Sequence, residues 1–208
     1  NSAFTNNSAK TDGGAIDIAP GAGATGIVSD CTFYGNTADG DGGAIHVLTG
    51  DALINRCTFI TNTASSEGGA IASVKTVSEI RNCSFARNRN LAGNGGGAIY
   101  LNSATATGFV DNCTFFTNYS AAAGGALNVR NGQFNVTNCI FWCNVAAGNG
   151  DEVYVDTGNL LNINYCSVKS NEVYKTGTGV INWYGVNTNT DPLFVDADAN
   201  DFHLKSTG

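Results

Sequence analysis

The chain has 208 residues, of which 13% are charged and 27 are glycine, with two prolines, no methionine and a net charge of −7. Its ten Lys and Arg are scattered among seventeen acidic residues, so no basic stripe exists to displace counterions and a nucleic-acid partner is argued against. No apolar run approaches the roughly 18 residues that cross a bilayer as a helix, and the small polar composition predicts many turns and short strands.

In chain order, the first unit carries Ser2, Phe4, Asn7, Gly13, Ile16 and then Val28. The same order returns from Cys31 as Phe33, Asn36, Gly42, Ile45 and Ile54, and from Cys57 as Phe59, Asn62, Gly68, Ile71 and Ile80. It continues through Cys83, Cys113, Cys139 and Cys166, at spacings of 26, 26, 30, 26 and 27 residues. The asparagine column extends to Asn171, the glycine column to Gly177 and the aliphatic column to Val180. Periods in this range signal stacked repeats.

Alternate residues of a strand face opposite sides, so Cys and Phe of C-x-F point inward together while the residue between them points out. One coil of about 26 residues cannot bury its own apolar face, but a stack of identical coils can. The expected fold is therefore all-β: a right-handed parallel β-helix of about seven rungs, each with three short strands, rising about 4.8 Å per rung. It forms one domain over residues 1–208, with a closing segment at 186–208. Because the chain opens at Asn1, without Met and inside a repeat, it reads as a fragment of a longer surface protein. A propeller blade or a leucine-rich repeat would need a different period or pattern.

The recurring residues read as structural. Stacked asparagines pass amide hydrogen bonds from rung to rung and tolerate left-handed corners, and the glycines permit positive φ or close approach. The ladder cysteines have side chains running parallel, which favours buried thiols over inter-rung disulfides.

Repeats with GGAI (Gly42 to Ile45, Gly68 to Ile71, Gly96 to Ile99) and F-x-x-N (Phe33 to Asn36, Phe59 to Asn62, Phe115 to Asn118) resemble those of chlamydial polymorphic outer membrane protein adhesins. They are also similar to secreted bacterial right-handed β-helix proteins of the pectate-lyase-like superfamily. DPLFVDADANDFHL, Asp191 to Leu204, resembles the segment closing such helices in surface proteins. The resemblance implies a secreted or cell-surface bacterial scaffold or adhesin-like module whose partner is a glycan or a surface protein. It equally admits a polysaccharide lyase or glycoside hydrolase, or a structural spacer that self-associates end to end, since fold does not choose function.

A catalytic reading needs clustered carboxylates or a base. The candidates are Asp151 and Glu152, where GGA becomes GDE, and His46 beside Asp17. For calcium, the one cofactor considered, Asp196, Asp198 and Asn200 have the D-x-D-x-N phase of a calcium loop without its glycine or distal glutamate. The candidate binding residues are an outward stripe of Tyr34, Ile60, Phe116 and Trp142, flanked by a Thr/Ser column, together with Tyr100, Tyr154 and Trp183 on the other face. Aromatics so placed stack on sugars or form an apolar interface. The stripe is too uneven for the flat lattice of an ice-binding surface.

Overall fold

The computed structural model describes residues 1–21, 23–74 and 78–205, and the side chains of all of these but 104–106. The chain winds as a parallel β-solenoid. Six strands, Ser2–Thr5, Cys31–Tyr34, Thr58–Ile60, Ser84–Ala86, Thr114–Phe116 and Ile140–Trp142, stack into one sheet. Six two-residue strands after the asparagine corner form a second. A twelve-stranded sheet holds both the aliphatic strands after the glycine pair and the strands before the cysteines. In two coils these last two strands merge, as Ile99–Asp111 and Leu127–Thr137.

Register explains the repeat. Phe33 pairs with Phe59, Phe59 with Phe85, Phe85 with Phe115 and Phe115 with Phe141. Their rings stack at 4.6–4.9 Å between centroids and within 3–5° of parallel. Each such pair contributes about 0.5–1.5 kcal/mol beyond its buried area. Phe33, Phe59, Phe85, Phe115 and Phe141 are fully buried, and a column of aliphatic residues faces them across the core.

The asparagine column is a one-way chain of hydrogen bonds. Asn36 donates from its backbone N–H (3.0 Å) and its Nδ2 (2.9 Å) to Asn62 Oδ1. Asn62 does the same to Asn88, Asn88 to Asn118, and Asn118 to Asn144. The second amide proton of each goes back to a phenylalanine carbonyl, as Asn88 Nδ2 to Phe59 O at 3.0 Å. The left-handed corner falls one residue earlier than the asparagine itself, on Gly35, Thr61, Arg87, Thr117 and Cys143 (φ 52–64°). Two of these are β-branched threonines, for which such angles are unfavourable; the buried amide chain beside them offsets that cost.

Both glycines of GG are required, for different reasons. Gly42 has φ +66° and a Cβ there would lie 2.2 Å from Ile45 O; a Cβ on Gly43 would lie 2.1 Å from Gly69 O in the next coil. The first lets the turn fold back over its own strand, and the second lets coils stack.

The seventh rung departs from the expected columns. Val173, not Val180, pairs with Val153; Val180 and Ile181 pair with Leu160 and Leu161 in the strand before the cysteine. Ile181 therefore faces inward. Asn171 lies exposed in the 3-10 turn Ser170–Glu172, and Gly177 (φ +48°) serves a turn beside Thr157. Six coils stack fully and the seventh is a remnant. A fourth short strand per coil is also present, where three were expected.

The cysteines are free thiols. Cys57, Cys113 and Cys139 each donate a backbone N–H to the sulfur of the next coil at 3.4 Å, while Cys143 is exposed. A thiol reagent is expected to label Cys143 in the native protein, more slowly than a fully solvated thiol because burial and then Glu152 push its pKa up, and Cys57, Cys83, Cys113, Cys139 and Cys166 only after denaturation. Prompt native labelling of more than Cys143 and the partly buried Cys31 would show that the column is open.

Past the last coil the chain turns back as an antiparallel hairpin, Phe194–Asp196 with Asp201–Leu204. Of the segment expected to close the solenoid, residues 206–208 lie outside the described residues.

Candidate binding surface

The outward stripe is laid down by register: Tyr34 pairs with Ile60, Ile60 with Ala86, Ala86 with Phe116 and Phe116 with Trp142. The hairpin lies over its middle. Phe116 meets Phe194 edge-on at 5.9 Å and Phe202 at 5.7 Å. Arg87, turned out by its left-handed corner, donates to Asn200 Oδ1 (2.6 Å) and to the carbonyls of Ala197 (3.2 Å) and Asp198 (3.1 Å). Lys169 Nζ sits 5.0 Å over the Trp142 ring. At the N-terminal end Tyr34 remains 46% exposed, with Ile60 half-buried beside it.

The column following the aliphatic residue points away from the core but is covered. His46, Ala72, Tyr100 and Asn128 are all buried, because the turn before the glycine pair folds across them. Asn128 Nδ2 donates to Asn94 O (2.7 Å) and Ala123 O (3.3 Å) of those turns. Burial, with the Glu67 carboxylate near, pushes the Tyr100 phenol up to about 12. Burial and then Glu67 also push Asp41 in the same turn layer up to about 6. His46 Nδ1 lies 3.0 Å from Asp17 Oδ1. Tyr154 is part-exposed, and Trp183, paired with Ile163, points to the core side at the open last coil.

The three candidate catalytic residues are not brought together. His46 lies four coils from Asp151 and Glu152, about 19 Å at one strand spacing per coil. Asp151 Oδ1 accepts from the Ala146 N–H at 2.9 Å. Glu152 occupies the column of Ala44, Ala70, Ala98 and Ala126 and is fully buried. Its Oε2 accepts from Asn144 Nδ2 at 2.5 Å, and its Oε1 has no partner. It thus ends the asparagine chain where Asn171 was expected to continue it. Burial, reinforced by the Glu172 carboxylate, pushes Glu152 up to about 8. No sequence feature beyond the change from GGA to GDE signals this role.

Two of the three residues considered for calcium, Asp198 and Asn200, face a guanidinium. Arg87 holds Asn200 and approaches Asp198 at 3.6 Å, while Asp196 Oδ1 accepts from the Ala199 N–H. Among the described residues, no group of three His, Cys, Asp or Glu side chains is placed to hold a metal. Ser84, Asp201 and His203 line a cleft under the hairpin. Ser84 Oγ donates to Thr58 and His203 is held by Asp201, so the three do not form a relay.

A solenoid with parallel ladders, stacked cores and an outward aromatic file defines a β-helical module. The right-handed β-helix family model matches residues 14–191, and the chain belongs to that family. The Chlamydia polymorphic membrane protein repeat matches residues 1–19, a likeness that points to a bacterial surface protein. No curated protein and no solved structure matches the chain.

Proposed function

We propose that the chain is a scaffold of a bacterial surface protein, an adhesin-like module that engages a glycan or protein partner through the uncovered part of its outward stripe. The observation carrying this reading is the regular apolar file of Tyr34, Ile60, Phe116 and Trp142. The protein's own hairpin and Lys169 cover its C-terminal half, while Tyr34 stays open. Apolar groups left open beside a threonine column suit a macromolecular surface. The likeness of residues 1–19 to a chlamydial membrane-protein repeat supports a surface setting.

The test is binding of the purified chain to immobilised glycans and to fibronectin- and collagen-type matrix proteins, compared with Tyr34→Ala and Ile60→Ser variants. A loss of five- to tenfold in affinity with an unchanged melting curve is expected. Equal binding by the variants would remove the stripe from function. Depolymerisation of polygalacturonate that is lost in Asp151→Asn would replace the reading with the lyase alternative.

A further inference from the structure

We infer that the outward face of the last two coils is a saccharide subsite centred on Tyr154 and Tyr174, an inference that rests on the chain being a surface-binding module. Val153-Tyr154-Val155 pairs in register with Val173-Tyr174-Lys175. Val153 and Val155 fill the core, so strand parity turns both tyrosines out. Their rings lie within 11° of parallel at 6.1 Å. Tyr174 is 43% exposed, and its strand is the last of its column. The ring face away from Tyr154 therefore meets no further ring of the stack. From His46 through Ala72 and Tyr100 to Asn128 the same column is buried under the glycine turn. Tyr174 instead follows the short Ser170–Glu172 turn directly, so no such turn lies over it.

Polar groups suited to hydroxyls rim this face. Thr176 Oγ1 has one proton and donates it to Asp156 Oδ1 at 3.0 Å, so the Tyr154 phenol donates to Thr176 (3.3 Å). Arg130 Nε pairs with Asp156 Oδ2 at 3.1 Å, and Thr157 is exposed beside them. A carboxylate has about four lone-pair sites and a guanidinium five N–H donors, so each keeps capacity for a ligand after pairing with the other. An open aromatic face with a few fixed donors and acceptors at its edge matches a pyranose, with C–H groups on one face and hydroxyls around the rim. Charge selects among sugars: Asp156 pairs with Arg130 and Glu172 with Lys169, strand parity sets Lys175 on the side opposite Tyr174, and the chain carries −7. The ligand class is a neutral hexose-containing glycan and not a uronate.

The experiment is an array of neutral and uronic-acid oligosaccharides, followed by titration of the strongest neutral binder. Neutral glycans are expected to bind at least tenfold more tightly than tetragalacturonate. Tyr174→Ala is expected to lose at least tenfold, Tyr174→Phe to stay within twofold, and Lys10→Ala, whose exposed side chain stands in the first coil, to match the parent. Loss in Tyr34→Ala with none in Tyr174→Ala would overturn the subsite while leaving the surface-module reading intact. Binding of no neutral glycan would also overturn it, with binding to matrix proteins still testing that reading separately. A change confined to sedimentation in Tyr174→Ala would reassign the face to contact between copies and overturn the sugar site.

Discussion

Replacing Glu152 with Gln is expected to stabilise the protein at pH 8 by on the order of 2–4 kcal/mol, read as a rise of about 5–15 °C in melting midpoint, and to do little at pH 4. Glu152 is fully buried, its Oε1 is unpartnered and the Glu172 carboxylate stands near. Its folded pKa, pushed up to about 8 by burial, exceeds the ordinary 4.5. Between those values the folded state keeps a proton that the unfolded chain has released. Stability therefore falls as pH rises from about 4.5 to 8 and levels off above. Gln keeps an acceptor for Asn144 and offers a donor towards Glu172 at every pH, so its profile should be flatter through this window. A parental profile that rises steadily between pH 5 and 8 would show that Glu152 is ionised at little cost.

Asn88→Ala is expected to cost about 3–5 kcal/mol, because it orphans buried partners on two sides at about 1–3 kcal/mol each. Asn62 would lose the acceptor for its backbone N–H and its Nδ2, and the Phe59 carbonyl would lose its donor. The matching control is Asn131→Ala. Asn131 also stacks, donating Nδ2 to Asn102 Oδ1 at 2.6 Å, but it is exposed and outside the left-handed region, so its loss should stay near 0.5 kcal/mol. Denaturant unfolding of both variants decides the matter; equal costs would mean that stacking, not burial, sets the strength of the column.

The columns were legible in the sequence because a stacked position must accept its own copy. Phe33 and Phe59, or Asn62 and Asn88, recur for that reason, and each sits where its spacing placed it. The seventh rung misled because Asn171, Gly177 and Val180 keep the spacing without the stacking. The informative departure lay one coil earlier, in Asp151 and Glu152, where a carboxylate enters an alanine column. Strand parity placed His46 and Tyr100 outside the coil, but parity does not say what a turn lies upon, and the turn's glycine allows it to fold back over them. The fate of Phe116 had a readable sign: Phe194 and Phe202 are two aromatics in a short segment that also carries four aspartates, which implies an apolar patch to receive them. The Tyr154 and Tyr174 pair was only half visible, since Tyr174 belongs to the coil whose period had broken.

The asparagine chain also gives the solenoid an electrical direction. Every side-chain amide turns its oxygen toward the first coil and an N–H toward the last, so their dipoles add along the axis as peptide dipoles add along an α-helix. The positive pole emerges at Asn144, where the Glu152 carboxyl group accepts its N–H. A coil transplanted into this stack in reverse would set oxygen against oxygen, so the module can grow or shrink only by whole coils of one polarity.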